Sequence, residues 1–537
     1  MCNAVRAPDD RARGGRLALT LLIGLTVLAL SACTSTRVEG DAPAPATNGT
    51  RATAGSSVPS HSDPVAGVCG KTRLGPTAAP PNAVSVDPSV VGDLSAKTEA
   101  NPPGTTFWLA PGTHRLAGDE YAQVQPKTGD TYIAAPDAVL DGAGINRYAF
   151  TGKAASVTIE HLTIKRFVSP AHEGVVNHDS GDDWIIEDNT IVDNDGAALM
   201  AGVGQVMRGN CLKDNGQYGL NACCGPIVDV VLSGNEFVGN NTDDLEDKFP
   251  GCGCTGAMKF WGVNGADITG NWIHDNHGPG IWADTNNNDF LIEGNLIENN
   301  DGSAIIYETS YNAIIRDNVL RRNNLVDGRA FADQGDNFPQ AAIYVSESGG
   351  DSRLPARTDQ IEIHRNIFED NWSGITLWEN ADRFCNSPAN SSTEICTLLV
   401  NDVSRCSRPE IASAPLFNDC RWKTQRVAIH ENRFSVDPDA IGCESLCARM
   451  AILANYGTVP EWSPYMGEVI RDAITFKQEN LWYDNTYIGP WTFMPYNTDH
   501  RVSPTEWQAA PYGQDQGSTF VSSGEASATT SAPTEGP

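Results

Sequence analysis

Two acidic residues of this sequence stand at the same offset from equivalent asparagines. Asp284 follows Asn276 by eight residues and Glu308 follows Asn300 by eight, each closing a short apolar run, Ile281-Trp282-Ala283-Asp284 and Ile305-Ile306-Tyr307-Glu308. Side chains alternate along an extended strand, so if Ile281 and Ile305 enter a core, Trp282, Asp284, Ile306 and Glu308 leave it. The earlier run Met258-Lys259-Phe260-Trp261 then places Lys259 beside Trp282 and Trp261 beside Asp284. Later runs bring Tyr344 and Glu347, then Trp378 and Glu379, to the same face.

Outward aromatics beside outward acids are the chemistry-bearing feature. Indole and phenol faces stack on the apolar faces of sugar rings, so Trp261, Trp282, Tyr344 and Trp378, with Glu347 and Glu379, are read as a saccharide-binding surface. Asp284 and Glu308 are the candidate catalytic acids, with Lys259 as base or charge partner. An unperturbed lysine is protonated near neutral pH, which weighs towards charge partner. Two carboxylates on adjacent coils repel unless a proton or a hard cation intervenes, so the pair could share a proton or hold Ca²⁺. Adjacent coils put them at about the 5 Å separation of retaining glycosidases. His274, His277 and His178, the last followed by Asp179, are further acid/base candidates by side-chain type.

A repeat must position these residues. Asn, four residues, Asn recurs from Asn189 to Asn194 and Asn210 to Asn215, with further copies beginning at Asn235, Asn271, Asn295, Asn318, Asn366 and Asn480; Asn432 opens a degenerate copy. The short gaps between starts are 21 to 25 residues, and gaps of 48 read as two coils of 24. Short apolar strands at this period, with no amphipathic helix between them, describe stacked coils. The repeated Asn are read as structural ladders that satisfy turn backbones from coil to coil. Cys385 to Cys420, and Asp437 to Glu468 with Cys443 and Cys447, interrupt the repeat and read as loops stapled by local bridges.

Composition bounds the partners and the compartment. Of 537 residues, 37 are Lys or Arg and 67 are Asp or Glu, a formal charge of −30 that argues against nucleic acid and polybasic membrane attachment. Arg11, Arg13 and Arg16 precede an apolar run from Leu17 to Leu30, the pattern of an export signal. Loss of residues 1–32 removes four Arg and two Asp and takes the charge to −32. Residues 33–83 and 496–537, rich in Ala, Pro, Ser, Thr and Gly, read as a linker and a low-complexity tail around a solenoid spanning 84–495. Twelve Cys remain beyond Cys33, an even number that reads as disulfides in an exported chain. The close pairs Cys252/Cys254 and Cys223/Cys224 leave a soft metal site as the alternative, although no His stands at matching spacing.

Two resemblances follow from these residues. Leu30-Ser31-Ala32-Cys33 resembles the bacterial lipobox, which implies lipidation of Cys33 and attachment to the outer face of the bacterial cell membrane. The phrase Gly-Asn-x-Ile/Phe-x-x-Asn, with Phe107 to Leu116 and Ala138 to Gly142, resembles the right-handed parallel β-helix of the pectin-lyase-like superfamily over about residues 85–495. That likeness implies an all-β solenoid, here with disulfide-stapled insertions, and a lyase or hydrolase of extracellular polysaccharide; the chain is expected to be a monomer. The Gly-His-Gly and Arg-Ile-Lys motifs of polygalacturonases and the Asp-Pro-His of alginate epimerases are missing, although Asp182-Asp183 follows Gly181. A non-catalytic glycan-binding or envelope-structural lipoprotein is therefore the competing reading. A copper-handling β-helix is weaker, with only 7 Met and 10 His.

Overall fold

The computed structural model describes residue 65 and residues 67–70, 74–223, 225–389 and 395–521. The signal segment, Cys33 and its lipid lie outside the described residues. The solenoid comprises three parallel sheets of 13, 13 and 10 strands, in each of which a strand pairs with its equivalents one coil before and one coil after. We number the sheets 1, 2 and 3 in the order the chain visits them within a coil, as in Val206–Arg208, Cys211–Lys213 and Leu220–Ala222. The stacked coils form a right-handed parallel β-helix.

The offset of five between asparagines has a simple structural cause. Each copy is an Asn, a three-residue strand of sheet 2, one left-handed residue and a second Asn, as in Asn189, Thr190–Val192, Asp193 (φ 54°) and Asn194. The residue before the first Asn is left-handed too, which explains the recurring Gly-Asn: Gly209, Gly234, Gly270 and Gly294 have φ of 61–64°. Two buried ladders result. Asn189, Asn210, Asn235, Asn271, Asn295 and Asn318 pass amide-to-carbonyl hydrogen bonds of 2.9–3.1 Å from coil to coil, and Asn194 to Asn371 form the second ladder. Between ladders the inward residues are apolar columns, such as Ile191, Leu212, Phe237, Ile273, Ile297 and Leu320 in sheet 2, all fully buried.

Three expectations need correction. The 48-residue gap between Asn318 and Asn366 is one coil, because the two bond directly; the extra length is an insertion containing the helix Leu325–Asp333. Asn432 is a full rung, between Asn366 and Asn485, whereas Asn480 precedes the sheet 1 strand Leu481–Tyr483 and belongs to no sheet 2 copy. The solenoid also runs past residue 495. Helix Pro504–Gln508, with a Ser503/Glu506 capping box, sets Trp507 against Phe493 and Trp482, and strand Thr519–Val521 pairs with Thr486–Ile488. Composition hid this cap because its anchor is a single buried Trp among polar and small residues.

The segment expected as free linker is partly strapped to the solenoid. Cys69 is disulfide-bonded to Cys211, and the Val68 and Cys69 amides donate to Glu236 Oε2, the latter at 2.7 Å. Glu236 Oε1 lies 3.2 Å from His274 Nε2, and Trp272 stacks on His274 at 4.0 Å. A Cβ on Gly67 would sit 2.8 Å from the Trp272 ring, so the glycine is what allows this approach. Burial pushes the His274 imidazole down, but Glu236 and Asp275 outweigh it and raise it overall. Burial pushes Glu236 up, and His274 with the two amides holds it below the usual range. The raised His contributes stability present below its unfolded pKa and lost as pH rises through its folded one. The depressed Glu contributes stability lost as pH falls through its own. The advantage of the wild type over His274→Gln in thermal denaturation is therefore expected to be greatest at about pH 5–6 and to fade above neutrality.

Candidate functional site on the third sheet

The outward row of sheet 3 has the register read from the sequence. Lys259 pairs in register with Trp282, Trp282 with Ile306 and Ile306 with Tyr344, while Ile281, Ile305, Met258 and Phe260 are fully buried inside. Lys259 Nζ lies 3.0 Å from Asp284 Oδ2, 3.7 Å from the centre of the Trp282 ring, and donates to the Gly253 carbonyl at 2.6 Å. Burial pushes the ammonium down, but Asp284, Tyr218 and Glu308 overcome it and raise it above the usual lysine value. Lys259 is thus held as a cation against Asp284 and the Trp282 ring. Asp284 also accepts from the Thr285 hydroxyl at 2.9 Å.

Glu308 is held differently. Trp282 Nε1 donates to its Oε2 at 3.0 Å, and Arg383 Nη1 reaches its Oε1. The same Arg383 nitrogen is 3.1 Å from Glu347 Oε2, so one buried guanidinium bridges two acids. Arg383 enters from the disulfide-stapled insertion that follows the strand Ile375–Asn380, and its distance in sequence made it invisible to the repeat alignment. Glu347 and Glu379 were expected on the outward face, but both are essentially fully buried. Glu347 is left-handed (φ 44°), which ends the alternation and turns its side chain under Arg383. Glu379 pairs with buried Arg421 and accepts from Gln478 at 2.6 Å and the Thr424 amide at 3.1 Å. Both acids are taken up by these protein partners and do not stand on the open face.

Loops cover both ends of the row. The Cys252–Cys254 turn lies over Lys259 and Trp282, with Tyr218 Oη donating to the Gly253 carbonyl at 3.2 Å. His172, from an earlier coil, joins this end: its Nε2 is 3.6 Å from Cys254 Sγ, and burial, then Lys259, push it down. Phe338 covers the other end, edge-on to Tyr344 at 5.8 Å and to Trp378 at 5.5 Å. Tyr344 and Trp378 are thereby half-buried. Between the covers remain Trp261, Ile306 and Asp284, whose side chain keeps 15 % exposure against 9 % for Glu308.

The histidines named from the sequence are placed elsewhere. His274 holds the strap, His277 pairs with Asp244 at 3.0 Å on the surface, and His178 stacks on Tyr148 at 3.9 Å. Asp179 accepts from the Gly152 amide. The Asp284–Glu308 pair does not fit Ca²⁺. A lysine and an arginine stand where a dication would, and the third acid nearby, Glu347, is held by the same arginine as Glu308. The repulsion that motivated a cation is met by the protein's own. The cysteines are bridged as Cys69–Cys211, Cys252–Cys254, Cys385–Cys396, Cys406–Cys420 and Cys443–Cys447, and Cys223 is also disulfide-bonded.

Fold and site together define a β-helix protein with a partly roofed, charged and tryptophan-lined row on one sheet. Residues 173–392 match the family model of the right handed beta helix region. No curated protein matches the sequence. Solved structures similar to this chain include the following three. The catalytic unit of a thermostable GH87 alpha-1,3-glucanase from Streptomyces thermodiastaticus strain HF3-3 is 14% identical, with a TM-score of 0.43 over 84% of this chain and 70% of that one. The A-module of the mannuronan C-5 epimerase AlgE4 of Azotobacter vinelandii is 14% identical, with a TM-score of 0.34 over 73% and 98%. XylC, in complex with xylose, is 12% identical, with a TM-score of 0.47 over 80% and 82%.

Proposed function

We propose that this chain acts on an extracellular polysaccharide laid over the open middle of sheet 3, as a lyase- or hydrolase-type enzyme. The observation that carries the reading is the Lys259–Asp284 ion pair, fixed at 3.0 Å against the Trp282 face on the outside of a β-sheet. A purely structural sheet face gains little from such a pair, since desolvating two ions offsets most of their attraction. In this reading Asp284, the least covered acid of the row, meets the sugar and takes a proton. Lys259 remains charged and stabilises negative charge developing on the substrate. Glu308, fixed by Trp282 and Arg383, orients the row. Trp261 offers a ring face to the sugar. We further propose that the exported chain is tethered through Cys33 and works as a monomer, since one chain supplies every residue of the row.

A binding-only role is the second reading, favoured by the saturation of Glu308 by Arg383 and Trp282. A panel of neutral and uronic-acid polysaccharides, with products followed as reducing ends and as unsaturated sugars, separates the two. Reducing ends alone mark a hydrolase and unsaturated ends a lyase. Retention without product leaves a binding protein, and neither retention nor product overturns the saccharide reading.

A further inference from the structure

Sheet 3 carries a second surface of unusual composition at its far end. The register runs from Glu308 to Ser346, Trp378, Leu453 and Tyr496, four coils along, or about 19 Å. The two ends are not one open groove. Asn337 donates to the Thr498 carbonyl at 2.6 Å and accepts from Arg501 at 2.8 Å and Arg449 at 2.7 Å, which pins the loop carrying Phe338 across Trp378.

Beyond that loop, Tyr496, Tyr512 and Phe476 cluster with ring centres 5.7–6.3 Å apart, and Phe476 is 42% exposed. Tyr496 has a φ of +75°, a left-handed conformation that is rare for a bulky residue and holds its ring in this cluster. The rings carry a polar rim. His500 Nε2 is 3.0 Å from Tyr512 Oη, and the Arg471 guanidinium lies over Tyr496 at 5.1 Å. Arg471 is paired with both Glu468, at 2.9 Å, and Asp472, at 2.7 Å, so the rim has no surplus of positive charge to offer a polyanion. An exposed Phe476 ring beside two half-buried tyrosines, bounded by hydrogen-bonding groups, matches a pyranose, which has apolar C–H faces and a belt of hydroxyls.

We propose that Tyr496, Tyr512 and Phe476 form a separate, non-catalytic binding site for an uncharged polysaccharide. It rests on the reading that the chain engages polysaccharide, but not on any chemistry at Asp284. The test is native affinity electrophoresis of the full chain in gels containing xylan, a β-glucan or an α-1,3-glucan, with alginate and polygalacturonate as charged probes. At least one neutral polymer should retard the wild type. The double variant Tyr512→Ala, Phe476→Ala should bind it about fivefold or more weakly. Since the double variant could lose its fold, hydroxyl-radical footprinting of the wild type supplies a second readout, in which Tyr496 and Tyr512 become protected by the retarding polymer. Retardation by charged polymers only, by none, or without protection of these tyrosines overturns the proposal. Loss of turnover in Asp284→Asn has no bearing on it, so failure here and failure of the catalytic reading are told apart.

Discussion

Asn271→Asp is expected to lower the stability of the solenoid by about 4 kcal/mol or more, although it changes one atom type and no volume. The Asn271 amide donates to the Leu232 carbonyl at 3.1 Å and to Asn295 Oδ1 at 3.0 Å, while its own oxygen accepts the Asn235 backbone and side-chain amides at 2.9 and 3.0 Å. An aspartate keeps the two accepted bonds but turns a second oxygen towards two acceptors, in a position with no exposure. The defect cannot relax by moving outwards, because the rungs above and below are tied to the same atoms. Thermal denaturation followed by far-ultraviolet circular dichroism measures it. Asn264→Asp, at an exposed position in the sheet 1 strand just before Asn271, keeps the oxygen that accepts from Asn288 at 2.8 Å; it serves as control and should stay within about 0.5 kcal/mol of the wild type.

Arg383→Met has the next largest expected effect. Its guanidinium is the shared cation of Glu308 and Glu347, with 9 % side-chain exposure for both Arg383 and Glu308 and none for Glu347. Without it two buried carboxylates face each other, a cost of about 3–5 kcal/mol. One of them then takes up a proton on folding, so its folded pKa rises above the unfolded value and the variant regains stability as pH falls. Denaturation midpoints of wild type and variant should therefore converge towards about pH 5 and separate above it. Adding Glu347→Gln to Arg383→Met should recover part of the loss at neutral pH. If the single variant is as stable as the wild type at pH 7, the shared-cation description of this site is wrong.

The architecture was legible because it repeats. An offset of five between asparagines reports two turns around a three-residue strand; the alignment on the second Asn gave the register of Trp282 and Ile306, and the neighbouring apolar runs placed Lys259 and Tyr344 in the same row. Most of the misplacements fall where the period is broken by an insertion or ends. Glu347 lies one residue past its strand and is left-handed, which sequence alternation does not announce, whereas Glu379 lies within the strand Ile375–Asn380 on the same inward parity as Ile375 and Leu377. Arg383 was missed because an insertion residue has no equivalent in other coils. The strap at Cys69 and the cap at Trp507 were missed because each docks through one or two anchors inside segments of linker-like composition. Phe338 shows the same limit, a single insertion residue that decides how much of Tyr344 and Trp378 meets water.

The central claim is that the open middle of sheet 3 performs chemistry on a polysaccharide, with Asp284 at the reacting end. Its most direct measurement is the kcat/KM of the wild type and of Asp284→Asn on whichever polysaccharide yields product, with denaturation midpoints recorded in parallel. A positioned acid/base group contributes about 10²- to 10⁴-fold, and a loss of that size with the fold intact is the predicted result. Turnover within about twofold of the wild type in Asp284→Asn would contradict the account, because a group that takes a proton cannot be replaced by an amide at no cost.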